Sequence, residues 1–358
     1  MDIRYVPFLK SKQNEIHALA EVEPNLMKSI VPFFDFPKKQ NGDTGVNYEL
    51  GIQRLVKKFK KYLKELNGFY FDIYDIDDDI TVSGLHIYEF LLKEFSSLPI
   101  IPVVSIDRSE LQKDSVNNVK TSGALKSNVV AFRVTHEDFQ NFEVIEEDVE
   151  DMLNDTFSLF SQIDLVFDCR ICSTTTPSHI AKQIALFSSK FQNKYNVRNI
   201  IVTGSSIPAS VAEILSSHSE ESVHRMEIDI FTNLRSILDD GKLVFGDYTI
   251  ISPDYSDADI PPEQMQNRIT AKLTYSFDKK HYFIRGGSLK TKGRDQYYDL
   301  ASTLCGKHFF RNSNSSGDNY FEEKSRREGG QCYVNTVIKP AINSHVTYMM
   351  QRILTNSI

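Results

Sequence analysis

Tryptophan is missing from this 358-residue chain, and cysteine is scarce at 4 residues. So few thiols (Cys169, Cys172, Cys305 and Cys332) exclude a disulfide framework and fit a reducing compartment. Cys169 and Cys172 are spaced C-x-x-C, yet no second pair or nearby histidine completes a zinc site. A redox motif would need a helix to begin directly after Cys169, where Arg170 and Ile171 instead follow a strand. No run approaches the roughly 20 apolar residues of a membrane span, and Met1–Lys10 lacks the apolar core of a signal peptide. The expectation is a cytoplasmic protein with no membrane partner. No strand is followed by G-x-G-x-x-G or a P-loop, the Gly-rich phosphate turns of open sheets. Positive charge is also short: a formal net charge of -7 argues against a general nucleic-acid coat, although a local basic groove is compatible with it.

What is present is apolar mass: 41% hydrophobic residues, with 24 Phe and 16 Tyr, enough for a sizeable core. Short apolar runs read as strands at Arg4–Lys10, Ser29–Asp35, Phe69–Tyr74, Ile100–Asp107, Val129–Arg133, Asp164–Asp168, Asn199–Thr203 and Leu243–Tyr248. Helical spacing fills the intervals at Tyr48–Leu66, Ser83–Phe95, Ser109–Val119, Phe142–Phe160, Thr176–Phe191 and Pro208–Ser217. Strands alternating with helices imply right-handed crossovers and a parallel sheet. About eight such units in roughly 250 residues match an α/β fold of the (β/α)8 TIM-barrel type, with an open doubly wound sheet as the alternative. The barrel is expected over 1–255. A C-terminal β-hairpin and helix extension is expected over 256–358, packed on the barrel. Within it, Ala271–Phe277 and His281–Arg285 flank a polar turn, Asp295–Leu304 reads as a short helix, Arg311–Gln331 as a mobile loop, and Asn335–Leu354 as a final helix.

Barrels of this class carry their chemistry at the C-terminal ends of the strands. Those ends hold Lys10, Asp35, Asp72, Asp107, Arg133, Asp168 and Asp247, while Asn199–Thr203 runs into Gly204-Ser205-Ser206. Chance alone would place roughly three or four charges there, so the enrichment is modest. The plain alternative is a salt-bridged ring closing the barrel top. Asp72 and Asp168 interrupt or close very apolar runs, where a carboxylate is costly unless paired or metal-bound. With only His136 near a strand end, carboxylate acid–base or divalent-metal (Mg²⁺ or Mn²⁺) chemistry is favoured over histidine chemistry. Lys57, Lys58, Lys60, Lys61 and Lys64 read as the wet face of a barrel helix. Arg285, Lys290, Lys292, Arg294, Lys324, Arg326 and Arg327 make a candidate basic lip above the acidic floor, suited to a phosphate-bearing or nucleic-acid substrate.

The N-terminal Y-V-P-F-L-K-S-K-x-x-E-x-x-A-L (Tyr5 to Leu19) resembles the opening signature of the phage and bacterial Beta protein family. So do F-G-D-Y (Phe245–Tyr248), I-R-G-G (Ile284–Gly287) and K-G-R-D-Q-Y-Y-x-L (Lys292–Leu300), which spread the resemblance over nearly the whole chain. Position by position, it implies a site of Lys10, Asp72, Arg133, Asp168, Arg225, Glu227, Asp247 and Arg285. It also implies a setting in phage or bacterial defence loci. The tryptophans frequent in the family are absent here, with Ile228 and Asn319 in their neighbourhoods.

Together these readings favour an enzyme that cleaves a phosphoester or glycosidic bond of a nucleotide or nucleic-acid-related substrate. Asp72 and Asp168 are the expected paired carboxylates, for a metal or for acid and base roles. Asp247 and Glu227 complete the catalytic set, with Asp247 orienting the substrate or finishing a metal shell. Lys10 and Arg133 hold the anionic group, and Asp35, Arg225 and Arg285 complete the binding set. Arg225 and Glu227 would both project inward if extended, whereas a helix would splay them. The competing expectation is a catalytically silent binding or inhibitor module with a protein partner seated on the extension.

Overall fold

Strands buried on both faces are the chain's dominant local structure, because runs of β-branched and aromatic residues leave no polar face to turn outward. The computed structural model describes residues 3–38, 45–172, 176–238, 241–254 and 269–358. Its strands are β1 (Tyr5–Lys10), β2 (Phe33–Asp35), β3 (Phe69–Asp72), the short hairpin β4 (Thr81–Val82) and β5 (Leu85–His86), and β6 (Ile100–Val104). Then follow β7 (Val129–Thr135), β8 (Gln162–Ile171), β9 (Val197–Ser205), β10 (Ser219–His224), β11 (Leu243–Asp247), β12 (Thr270–Phe277) and β13 (Lys280–Ser288). Eight of them close into a parallel barrel in the order β1-β11-β9-β8-β7-β6-β3-β2, as the alternating pattern implied.

Two hydrophobic layers follow from this closure. Inside the barrel, Val6, Phe8, Phe33, Tyr70, Val166 and Val244 fill the interior, with Phe8 stacked on Phe33 at 4.3 Å. Outside, the alternate residues pack against the helices, so Tyr5 stacks on Phe245. Gly246 faces inward in β11. A Cβ there would lie 2.9 Å from the Val6 carbonyl oxygen and 3.2 Å from the Phe8 ring, which accounts for the glycine of F-G-D-Y.

Elements after β9 correct two expectations and add a strand. Pro208–Ser217 is not a helix; it contains one 3-10 turn, Val211–Glu213, capped by Ser210, and Ile214 and Leu215 pack near Ile207 and Phe283. The polar S-E-E-S-V-H that follows is a strand, β10, added antiparallel to β13 so that β10-β13-β12 form one sheet. Arg311–Gln331 is not a loop throughout: Ser316–Ser325 is a helix, capped by the Ser315 hydroxyl. Its Gly317 lies where a Cβ would come 2.0 Å from the Pro340 carbonyl oxygen, so the small residues that suggested a loop instead admit the C-terminal helix, Ile338–Leu354. That helix packs against Gln13–Ala20 and β12. The expected boundary between 255 and 256 lies outside the described residues.

Candidate functional site

The register of the first barrel strands sets three charges side by side. Lys10 pairs with Asp35, and Asp35 with Asp72, so the three side chains point into the barrel at one level near the strands' C-terminal ends. Arg133, inward from β7 and fully buried, reaches across to them. Its Nη1 donates to Asp35 at 2.7 Å and to Asp72 at 2.8 Å. Its Nη2 donates to Asp168 at 2.6 Å and to the Tyr248 hydroxyl at 3.0 Å, and its Nε to Asp168 at 3.1 Å. All the donors of the guanidinium are thereby engaged.

The acids are equally occupied. Asp72 also accepts from the Ile73 amide (2.8 Å), Gln112 (3.3 Å) and Arg108 (3.3 Å). Asp168 accepts from the Arg170 amide (2.9 Å) and the Tyr248 hydroxyl (2.6 Å). Burial would raise the Asp35 carboxyl, but Arg133 and Lys10 hold it below its usual range. This arrangement revises the expected chemistry. Asp72 and Asp168 meet through Arg133 rather than across a metal, and Arg133 has no donor left for a substrate anion. Among the described residues, no group of three or more His, Cys, Asp and Glu side chains is placed to hold a metal ion, and the oxygens expected for Mg²⁺ or Mn²⁺ are bound to nitrogen and hydroxyl donors.

Above this floor stands Tyr74, half-buried, with the guanidinium carbons of Arg108, Arg133 and Arg170 each 4.5 Å from its ring centre. Lys10 donates to Asp75 at 2.5 Å and lies 3.5 Å from Asp35.

Asp247 is not part of this group. In β11, Val244 and Tyr248 belong to the interior and Phe245 to the outer layer, so Asp247 points out of the barrel. There it meets Arg225 at 2.5 Å, the Tyr5 hydroxyl at 2.7 Å and His345 Nε2 at 3.0 Å. Arg225 is the extended residue before helix Met226–Ile237, and its Nε donates to Glu227 at 2.7 Å. The strand-to-helix turn therefore joins the two side chains that a continuous helix would separate. Ser206 also donates to Glu227, at 2.8 Å. Ser276 Oγ lies 2.6 Å from His345 Nδ1 and 3.0 Å from His281 Nδ1. Burial would raise Asp247, yet His345 and Arg225 bring it below the ordinary carboxylate range. Burial lowers both histidines. Ser276, His345 and Asp247 have the order of a nucleophilic triad, but all three are enclosed, so the chain of hydrogen bonds joins elements and reaches no substrate.

Arg285 lies apart from both groups, donating to Thr270 Oγ1 at 3.0 Å and the Leu215 carbonyl at 2.7 Å. Of the expected basic lip, Lys324 is buried against Glu323 and the Glu328 carbonyl, Arg326 pairs with Glu328, and Arg327 pairs with Asp299. Lys57, Lys60, Lys61 and Lys64 are exposed, as a wet helix face requires. Cys169 and Cys172 are buried free thiols, and a hydrogen bond that the Cys172 thiol gives to Cys169, together with burial, holds Cys172 well above the usual thiol range.

A cleft of about 550 Å³ opens beside the ends of β1, β9 and β11, with Lys10, Lys12, Glu15, Asp254 and Lys272 among its lining. Glu15 is only 5% exposed. Burial pushes its carboxyl up to about 6, against the opposing pull of Lys12 and Lys10. Sequence reasoning missed Glu15 as a site residue, although it is the acid of the quoted K-S-K-x-x-E. A larger groove, about 870 Å³, runs between Leu289–Arg294 and Gln331–Asn335, and its described lining contains no acid.

The family model for the Beta protein family matches residues 5–351. Nothing among curated proteins matches the sequence. Among solved structures, the apo form of the E. coli 3-keto-D-glucoside 4-epimerase YcjR is similar at 11% identity and a TM-score of 0.32, over 73% of this chain and 95% of that one. So remote a likeness carries no argument about chemistry.

Proposed function

Because the chain belongs to the Beta protein family over nearly its whole length, we propose that the frame of the barrel serves one mouth-side cleft, and that the protein is a hydrolase acting there on an anionic, nucleotide-related substrate. The bond broken is a phosphoester or a glycosidic bond, and the lysine-lined cleft favours the phosphoester. The observation that carries this reading is Glu15, a nearly enclosed carboxyl on the cleft wall, raised to about 6 and flanked by Lys10 and Lys12. A carboxyl tuned to that range is present in both forms near neutrality, so it can give a proton to a leaving oxygen and then recover one from water. Lys10 and Lys12 offset the charge of the bound anion. The Arg133 group forms the rigid floor beneath. The phage–host setting implied by the resemblance belongs to the same proposal.

A panel of chromogenic phosphomonoesters, phosphodiesters and aryl glycosides tests it. Turnover by the wild-type protein is expected to fall about 10²- to 10⁴-fold in Glu15→Gln, with the thermal midpoint held or raised. Glu15→Gln turning over at the wild-type rate sinks the reading. A wild-type protein inert to the whole panel supports the second reading, a binding or inhibitor module. What favours that alternative is the saturation of the Arg133 group, whose aspartates have no free role.

A further inference from the structure

We propose that Arg108 and Arg170, stacked about the Tyr74 ring, form a clamp for a phosphoryl group at the barrel mouth. The inference rests on the mouth-side reading above and gives its ligand a chemical class.

Three guanidiniums surround one half-buried tyrosine, but they are not equivalent. Arg133 is saturated by buried aspartates. Arg108 pairs with Asp107 at 2.6 Å and reaches Asp72 only at 3.3 Å. Arg170 donates to Asp254 at 2.5 Å and to the Pro253 carbonyl at 3.3 Å. Arg108 Nε and Arg170 Nη1 are buried and have no hydrogen-bond partner among the described residues. An unmet donor on a charged group is costly in a folded protein, so each marks a place where an acceptor belongs. The Arg108 side chain is itself only 10% exposed.

The backbone at Arg170 points the same way. Its φ is +48°, in the left-handed region that a residue with a side chain enters only at a cost. The β8–β9 register breaks between Asp168 and Ile171, and the Arg170 amide turns back onto Asp168. Such an irregularity re-aims a side chain; here it accompanies a guanidinium held over the mouth rather than in the wall.

The present counter-ions of the two arginines are also replaceable. Asp107 and Asp254 have side chains 30% and 45% exposed, against 0–2% for the aspartates that hold Arg133. Each of these acids keeps a side open to water, so it can be rehydrated when a ligand oxyanion takes over its donor, which the enclosed aspartates of Arg133 cannot. Both guanidinium carbons lie 4.5 Å from one ring centre, so they are separated by no more than twice that distance. Two planar forks so placed suit the several oxygens and double charge of a phosphoryl group better than a carboxylate. Stacking on Tyr74 limits their freedom in advance, which lowers the entropy lost on binding.

Calorimetric titration with inorganic phosphate at pH 7.5 and low salt tests the clamp, with a nucleoside monophosphate in parallel and acetate as the control anion. Saturable phosphate heat is expected from the wild-type protein, weakened about tenfold or more in Arg108→Gln and in Arg170→Gln. Tighter monophosphate than phosphate binding assigns the clamp to a substrate's phosphoryl group; equal affinity assigns it to free phosphate. Should Arg170→Gln fail to fold, Arg170→Lys keeps the charge without the fork and is expected to bind more weakly than wild type. The clamp is refuted if the wild-type protein gives no phosphate heat, or if folded Arg108→Gln and Arg170→Gln bind as it does. Phosphate heat is read without turnover, so its failure is separable from a failure of the Glu15 result.

Discussion

Two arginines among the described residues are completely buried, and what surrounds them differs in kind. Arg133 lies inside the barrel with Asp35, Asp72 and Asp168, all supplied by barrel strands. Arg225 lies outside the barrel wall, with Asp247 and Glu227 below and His345 and Met349 of the C-terminal helix above. One group has a mouth over it, lined by Tyr74, Lys10, Arg108 and Arg170. The other has a roof of hairpin and helix. A buried ion group is weak evidence for function by itself; the covering decides what it can do. The first is a floor for a site, and the second is a joint between the barrel and the elements after β11.

The largest expected effect comes from removing either arginine. Arg133→Met leaves three aspartates buried together, with only the partial compensation of Lys10, Arg108 and Arg170, and is expected to cost about 3–5 kcal/mol or to prevent folding. Arg225→Met leaves Asp247 with the Tyr5 hydroxyl and His345. Arg225 is one of the charges that keep His345 neutral, so its loss lets His345 take a proton and supply the missing charge. The cost is therefore expected to be smaller than for Arg133→Met in urea denaturation. The reverse order would break the comparison.

The distinction between the two groups could not be read from the strands. Phe245-Gly246-Asp247-Tyr248 sits in a strand buried on both faces, where no alternation of polar and apolar residues reveals which side chain points inward. Choosing Asp247 as the mouth residue was a one-residue error of parity; Tyr248 takes that place and bonds to Asp168. Lys10, Asp35, Asp72, Arg133 and Asp168 were legible because charges closing apolar runs have few places to go except a shared level of a closed barrel. The joint was illegible for a different reason: His281, Ser276 and His345 lie far from β11 in sequence, and no local pattern ties them to Asp247. β10 was hidden by its polarity, since an added strand with exposed faces needs no apolar stripe. Glu15 was hidden because one acid in a helix is ordinarily just solvated.

An intermediate effect separates the groups by pH. Both histidines of the joint are lowered from their ordinary value of 6.5. Below that pH the unfolded chain binds protons that the folded chain refuses, so stability is lost as pH falls from 6.5. Each histidine held neutral contributes up to about 1.4 kcal/mol of loss per pH unit. The groups facing them, Asp247 and Glu227 on one side and Arg225 on the other, partly cancel. His345→Gln is expected to flatten the fall in unfolding free energy between pH 6.5 and 5.5. No such histidine contacts Arg133, so Arg133 variants are expected to retain the wild-type slope. An unchanged slope in His345→Gln would remove the joint from the account of acid sensitivity.

An effect of opposite sign, a gain of stability, concerns an acid that has no arginine at all. Glu15 is buried like the aspartates of both groups, but it lies against a cleft and its carboxyl is raised rather than lowered. The sign follows directly: above its unfolded value of 4.5, the folded state must carry a charge it disfavours, so this residue destabilises the protein progressively as pH rises toward 6 and fully above it. Glu15→Gln is therefore expected to stabilise the protein at pH 7.5, by on the order of 2 kcal/mol from a shift of 4.5 to about 6, and to do nothing at pH 4. An acid kept for packing would behave oppositely, its loss costing stability at every pH. Gain of stability at pH 7.5 together with loss of turnover is the signature of a group held in an unfavourable state for its chemistry. Denaturation of Glu15→Gln at the two pH values distinguishes these cases, and a destabilised variant at pH 7.5 would place Glu15 among the structural acids with Asp35 and Asp247.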